Sequence, residues 1–124
     1  MPLRIAVADD EPDMREYFER ILPRLGHEVV AVAATGTELV EQCRRERPDL
    51  VITDIKMPDM DGRDLFAELQ KNKPALAERT VFITGDTVSP DTRSFLNDVK
   101  NPVLAKPFRI REVRETISAI LDET

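Results

Sequence analysis

The chain has 124 residues, 41% of them hydrophobic and 34% charged, with a net charge of −6 at pH 7. That length suits one domain, residues 1–124, able to bury a core without staples, and the acidic balance argues against nucleic acid as the main partner, because phosphate binding needs a basic footprint. No apolar stretch is long enough to cross a bilayer, the first residues do not resemble a signal peptide, and the lone Cys43 excludes an intramolecular disulfide and fits a reducing cytoplasm.

Apolar runs and helical periods alternate along the whole chain. Ile5 to Ala8 reads as a strand. Met14, Phe18, Ile21, Leu22 and Leu25 then fall at helical spacing, with Pro12 suited to the first turn. Pro23 is expected to end or kink that helix early, and Gly26 supplies a stop. Val29 to Ala33 is a second strand, and Thr37 to about Arg47 a second helix with Leu39, Val40 and Cys43 inward. Leu50 to Thr53 is the third strand. Leu65, Phe66 and Leu69 mark a helix starting near Gly62. Val81 to Thr84 is the fourth strand, and Ser89-Pro90-Asp91 a strong helix start. Val103 to Ala105 is a short fifth strand. Ile110, Val113, Ile117, Ile120 and Leu121 give the last helix. Five strands alternating with five helices imply an α/β fold: a doubly wound parallel sheet covered on both faces.

The run from Val51 to Gly62 carries the most chemistry. Its apolar residues lead to Asp54, a carboxylate delivered to the rim where open α/β sheets place their ligands. Asp9 and Asp10 close the first strand on the same rim. Carboxylates this close repel one another and favour a bound cation. An all-oxygen site with no nearby His or Cys suits Mg²⁺ rather than zinc. Thr84 adds a hydroxyl at the end of the fourth strand and Lys106 an ammonium after the fifth. Together these groups supply what a phosphoryl transfer needs, and Asp54 is the natural nucleophile.

Asp9-Asp10, Asp54 with Met57-Pro58 and Asp61-Gly62, Thr84, and Lys106-Pro107-Phe108 resemble, in order and spacing, the receiver domains of two-component response regulators. The resemblance covers essentially the whole chain. It implies a flavodoxin-like sheet with strand order 2-1-3-4-5 and Asp54 as phosphoacceptor. It implies Mg²⁺ held by Asp10, Asp54 and the backbone carbonyl of Lys56, with Asp9 acting largely through water. Thr84 would bond the phosphoryl oxygen, Lys106 would pair with it, and the Lys106–Pro107 bond would be cis. The implied role is a signalling phosphoacceptor rather than an enzyme, which still assists its own phosphotransfer and dephosphorylation. The implied donor is a histidine kinase or phosphotransfer protein in the cytoplasm. A downstream protein would meet the face made by the fourth helix, fifth strand and fifth helix, on a monomer or weak homodimer. The segment from Thr84 to Leu96 also resembles receivers at the ends of hybrid histidine kinases.

One position departs from that pattern. Val103 stands where the family usually has an aromatic ring three residues before the lysine, so coupling through such a ring cannot operate here. Lys56 and Asp86 are expected to pair across the mouth of the site. Two other readings stay open: an adaptor that keeps the fold without using Asp54, and an aspartate-nucleophile phosphatase. The second is disfavoured because Lys56 occupies the place of the usual acid/base aspartate. Other residues have plainer readings. Asp59 and Asp61 are turn formers, His27 a surface histidine and Cys43 a small core residue. Phe18, Phe66, Phe82 and Phe95 belong to the core, Tyr17 to its flank, and Arg109, Arg111 and Arg114 to a solvated face.

Overall fold

The computed structural model describes residues 2–85 and 89–122. Strand β1 (Arg4–Ala8) leads to α1 (Pro12–Arg24), β2 (Glu28–Ala33) to α2 (Gly36–Glu46), and β3 (Leu50–Asp54) to α3 (Gly62–Asn72). A short helix α4 (Pro74–Glu78) precedes β4 (Thr80–Thr84); α5 (Pro90–Asp98), β5 (Val103–Ala105) and α6 (Ile110–Asp122) follow. The strands are all parallel, in the order β2-β1-β3-β4-β5 that the resemblance implied.

Side-chain alternation sorts the sheet into two cores. Ile5, Val7, Ile52, Val81 and Ile83 face Phe18 and Leu22 of α1 and Val113 and Ile117 of α6. Ala6, Ala8 and Val51 face Leu39 and Cys43 of α2 and Leu65 and Leu69 of α3. A smaller cluster on this second side joins Ile55, Phe82 and Phe95. Strands β3 and β4 are buried throughout, as a strand covered on both faces must be. Each large aliphatic side chain so buried contributes about 1.5–3 kcal/mol.

Two features differ from the sequence reading. Helix α4 adds a sixth helix, so the fourth and fifth helices expected from the sequence are α5 and α6. Five residues give no readable period, and α4 is held by burial of Leu76 and Ala77 after a proline start. Helix α1 also continues through Pro23 to Arg24. One turn from the end little ladder remains for a proline to interrupt, and Ile21 and Leu22 stay anchored in the core. The helix then closes at Gly26, whose φ of 92° lets His27 N–H reach the Leu22 carbonyl at 3.0 Å.

His27 is half-buried, and its Nδ1 accepts a hydrogen bond from Leu3 N–H at 3.1 Å. Cys43 is in the core as expected, and burial pushes its thiol up to about 11. Phe18, Phe82 and Phe95 are buried; Phe66 is only partly so, and packs on the last two.

Candidate functional site

Strand register brings the candidate residues together. Ala8 lies beside Thr53, so Asp9 and Asp10 leave the sheet next to Asp54. Asp54 lies beside Ile83 and Thr84 beside Ala105, which places Lys106 on the same rim. Lys106 N–H holds this edge by donating to the Thr84 carbonyl at 2.9 Å. Carboxylate oxygens of Asp9, Asp10 and Asp54 lie within 4.8 Å of one another. Above them a cleft of about 250 Å³ is lined by Asp10, Glu11, Asp54, Lys56, Thr84 and Lys106. Asp9 lies beneath it, fully buried.

The electrostatics follow from that burial. Asp9 Oδ1 accepts from Glu11 N–H at 2.9 Å, whereas its buried Oδ2 has no hydrogen-bond partner. Loss of solvent raises the Asp9 carboxyl to about 6; the bond from Glu11 opposes the rise and the Asp54 charge adds to it. Burial also raises Asp54, against the Lys56 N–H that donates to its Oδ1 at 3.1 Å and the nearby Lys106 charge. For Lys106, burial acts downward, but Glu11, Asp9 and Asp54 outweigh it and the ammonium is held above its usual value.

Lys106 Nζ lies 3.0 Å from Glu11 Oε1, 3.7 Å from Asp9 Oδ2 and 3.9 Å from Asp54 Oδ2. Glu11 is the member of the site that sequence reasoning missed. The available signal was its place as the third acid of the run Asp9-Asp10-Glu11.

The loop after Asp54 is built as a tight turn. Lys56 and Asp61 form an isolated antiparallel bridge, and Met57 N–H donates to the Met60 carbonyl at 3.3 Å. Asp61 caps α3 by accepting from Asp64 N–H at 2.9 Å, as its turn-former reading implied. Asp59 does more than form a turn. It reaches the start of α2, accepting from Gly36 N–H at 2.8 Å, Thr37 N–H at 2.9 Å and the Thr37 hydroxyl. These donors pull its carboxyl down to about 2. Met60 lies over Gly36 so closely that a Cβ there would be 2.2 Å from its Cγ.

The Lys106–Pro107 bond is cis, as the resemblance implied. Phe108 then turns inward to stack on Phe18, with ring centroids 5.8 Å apart. Val103 is 37% exposed on the edge strand, so no ring occupies that position. Asp86, the expected partner of Lys56, lies outside the described residues.

The sequence pattern of the response regulator receiver domain matches residues 5–118. The chemotaxis protein CheY of Bacillus subtilis is 32% identical over 130 residues, covering 98% of this chain and 100% of that protein. A CheY-like receiver domain protein from Methanospirillum hungatei superposes with a TM-score of 0.86 at 30% identity, over 99% of this chain and 96% of that one. The receiver domain of a sensor histidine kinase from Pseudomonas aeruginosa, whose cleft holds a coordinated magnesium ion, shares the fold. Its TM-score is 0.84 at 24% identity, over 98% of this chain and 99% of that one. Other curated relatives are longer, and the chain spans 51% or 27% of their length. With the pattern matched from β1 into α6 on this sheet, the chain belongs to the response regulator receiver domain family.

Proposed function

We propose that this chain, as a single receiver unit, is a phosphorylation-controlled switch of a two-component or phosphorelay system, with Asp54 as the acceptor. The observation that carries this reading is the convergence of Asp10, Asp54, Thr84 and Lys106 on one cleft with the buried Asp9 beneath it. A carboxylate oxygen of Asp54 attacks the phosphorus of a phosphohistidine, the P–N bond breaks, and the imidazole leaves with a proton from solvent. Lys106 neutralises charge on the transferred group, and Thr84 offers a hydroxyl to one of its oxygens. The Lys56 N–H holds the Asp54 side chain in place by donating to Oδ1.

The residues present fit a Mg²⁺ ion. Three carboxylates meet, and the buried Asp9 Oδ2 has no hydrogen bond, only the Lys106 ammonium 3.7 Å away that it shares with Glu11 and Asp54, an acid excess that suits an oxygen-bound cation. Asp10, Asp54 and the Lys56 carbonyl would hold the ion, and Asp9 would act from below, largely through water. Bound there, Mg²⁺ supplies charge neutralisation for the phosphoryl oxygens.

The chain acts in this reading as an acceptor and switch, assisting its own phosphotransfer and dephosphorylation without turning over a separate substrate. A cytoplasmic histidine kinase or phosphotransfer protein is the donor. Among the described residues, no helix is long and apolar enough to cross a membrane. A downstream protein meets the face of α5, β5 and α6. Val103 and Ile110, the large hydrophobics exposed among the described residues, support that placement. The test is phosphotransfer from purified, labelled histidine kinases of the same genome. Label should pass to the wild-type chain and not to Asp54→Asn; equal labelling of both would remove Asp54 from the reaction.

A further inference from the structure

With Val103 in place of a ring, the sheet edge offers no aromatic side chain to carry the state of Asp54 outward. A different contact joins the acceptor loop to α5. Ile55, the residue after Asp54, and Phe82, two before Thr84, pack in one small cluster with Phe95 of α5. The Phe82 and Phe95 rings meet edge to face with centroids 5.0 Å apart. Phe95 therefore meets the strand that ends in Thr84 directly, and shares a cluster with the residue that follows Asp54. Gly62, which ends the loop, is pressed against the same cluster: a Cβ there would lie 3.0 Å from both Ile55 Cγ2 and Phe95 Cε2.

The next residue, Arg63, closes over the outside of this contact. Its guanidinium carbon stands 5.6 Å from the Phe95 ring centroid. Its Nη2 lies 2.9 Å from Ser94 Oγ and 2.9 Å from Asp98 Oδ2. One side chain at the start of α3 thus contacts Ser94, Phe95 and Asp98, which are neighbours on one side of α5. A planar fork with fixed donors suits that role, which a point-charge ammonium does not fill.

The acceptor loop is tied on both sides. On the α2 side, Asp59 accepts three hydrogen bonds and Met60 fills the space over Gly36. On the α5 side, Gly62 packs against the Ile55–Phe82–Phe95 cluster and Arg63 reaches across to Ser94 and Asp98. A cleft of about 330 Å³ opens there between the starts of α3 and α5.

Building on Asp54 as the acceptor, we propose that Arg63 is a positioning residue that, with Phe95, couples the acceptor loop to α5. It transmits the phosphoryl state in place of a ring on β5.

The test is hydrogen exchange in residues 90–98, measured on the full chain with and without Mg²⁺ and a small phosphodonor, with labelling of Asp54 followed in parallel. In wild type, labelling should change exchange in α5. In Arg63→Ala, labelling should stay within about twofold of wild type. Exchange in α5 should already be roughly threefold faster before labelling, and the labelling-dependent change should vanish. Asp98→Ala, which leaves the stacked Arg63–Phe95 pair in place, should give an intermediate effect and guards against a folding defect in the first variant. A normal α5 response in labelled Arg63→Ala would overturn the proposal, as would a labelled wild type whose α5 does not respond. If wild type takes no label at Asp54, the acceptor reading itself fails and the coupling falls with it.

Discussion

Lys106 Nζ rests 3.0 Å from Glu11 Oε1 but 3.9 Å from Asp54 Oδ2, so its ammonium is paired with an acid other than the proposed acceptor. In the proposed reaction, a phosphoryl group on Asp54 competes with Glu11 for Lys106. Glu11→Gln weakens that competing pair and removes a negative charge from the cleft mouth. The rate of Asp54 labelling by a small anionic phosphodonor should rise about two- to fivefold. The gain should shrink with added salt, because it is an electrostatic effect at an exposed side chain. Stopped labelling at low and high ionic strength checks this, and an unchanged or slower rate would show that Glu11 does not compete.

Asp9 makes the stability of the metal-free protein depend on pH. Its carboxyl stands at about 6 in the folded chain against 3.8 when unperturbed, so the folded state binds this proton more tightly. Stability from this group is therefore fully present below about pH 4 and is lost as pH rises through 6. The loss is on the order of 2–3 kcal/mol. Asp54 is raised by burial too and acts in the same direction. Thermal melts without divalent cations should show Tm falling over this window. Mg²⁺ should restore it at pH 7. Asp9→Asn should raise the metal-free Tm and reduce the Mg²⁺ effect.

The Asp59 clamp predicts the opposite pH dependence for the acceptor loop. Three donors at the start of α2 hold this carboxyl at about 2, below the ordinary 3.8. Its contribution is present above about pH 4 and disappears as pH falls towards 2. Asp59→Ala should lower Tm by a few degrees at pH 7 and flatten the acid limb of the stability curve. Gly36→Ala drives a Cβ to 2.2 Å from Met60 Cγ and should displace the loop from the other side. Amide chemical shifts of residues 55–61 should move in both variants.

Cys43 is predicted to be chemically silent in the folded chain. Its thiol is buried, and desolvation raises it to about 11, with only a small opposing influence from Lys73. A chromogenic disulfide reagent at pH 8 should react at the rate of global unfolding. Fast native-state labelling would contradict its core placement.

The features legible in the sequence were those set by local chemistry. The β3 run of Leu50 to Thr53, the Ser89-Pro90 start and the α6 stripe each declare their own element. Asp54, Thr84 and Lys106 could be placed on one rim because each follows a strand end. The strand order came from the resemblance, since periodicity does not say which strands are neighbours. What escaped was tertiary. Asp59 looked like a turn residue, yet its acceptors serve a helix start 22 positions earlier. Glu11 carries no local sign of a role, and the approach of Lys106 across 95 residues gives its side chain a partner. Helix α4 was hidden because five residues fit no period, and burial of Leu76 and Ala77 is a tertiary contact.

Asp54 is proposed as a Mg²⁺-dependent phosphoacceptor. Its most direct measurement is the intact mass of the protein after incubation with a small phosphodonor, with and without Mg²⁺. Wild type with Mg²⁺ should gain the mass of one phosphoryl group, mapped to Asp54, and should lose it again on treatment with hydroxylamine. Omitting Mg²⁺ or substituting Asp54→Asn should abolish the gain. A wild type that stays unmodified with Mg²⁺, or an Asp54→Asn variant modified to the same extent, would rule out Asp54 as the acceptor.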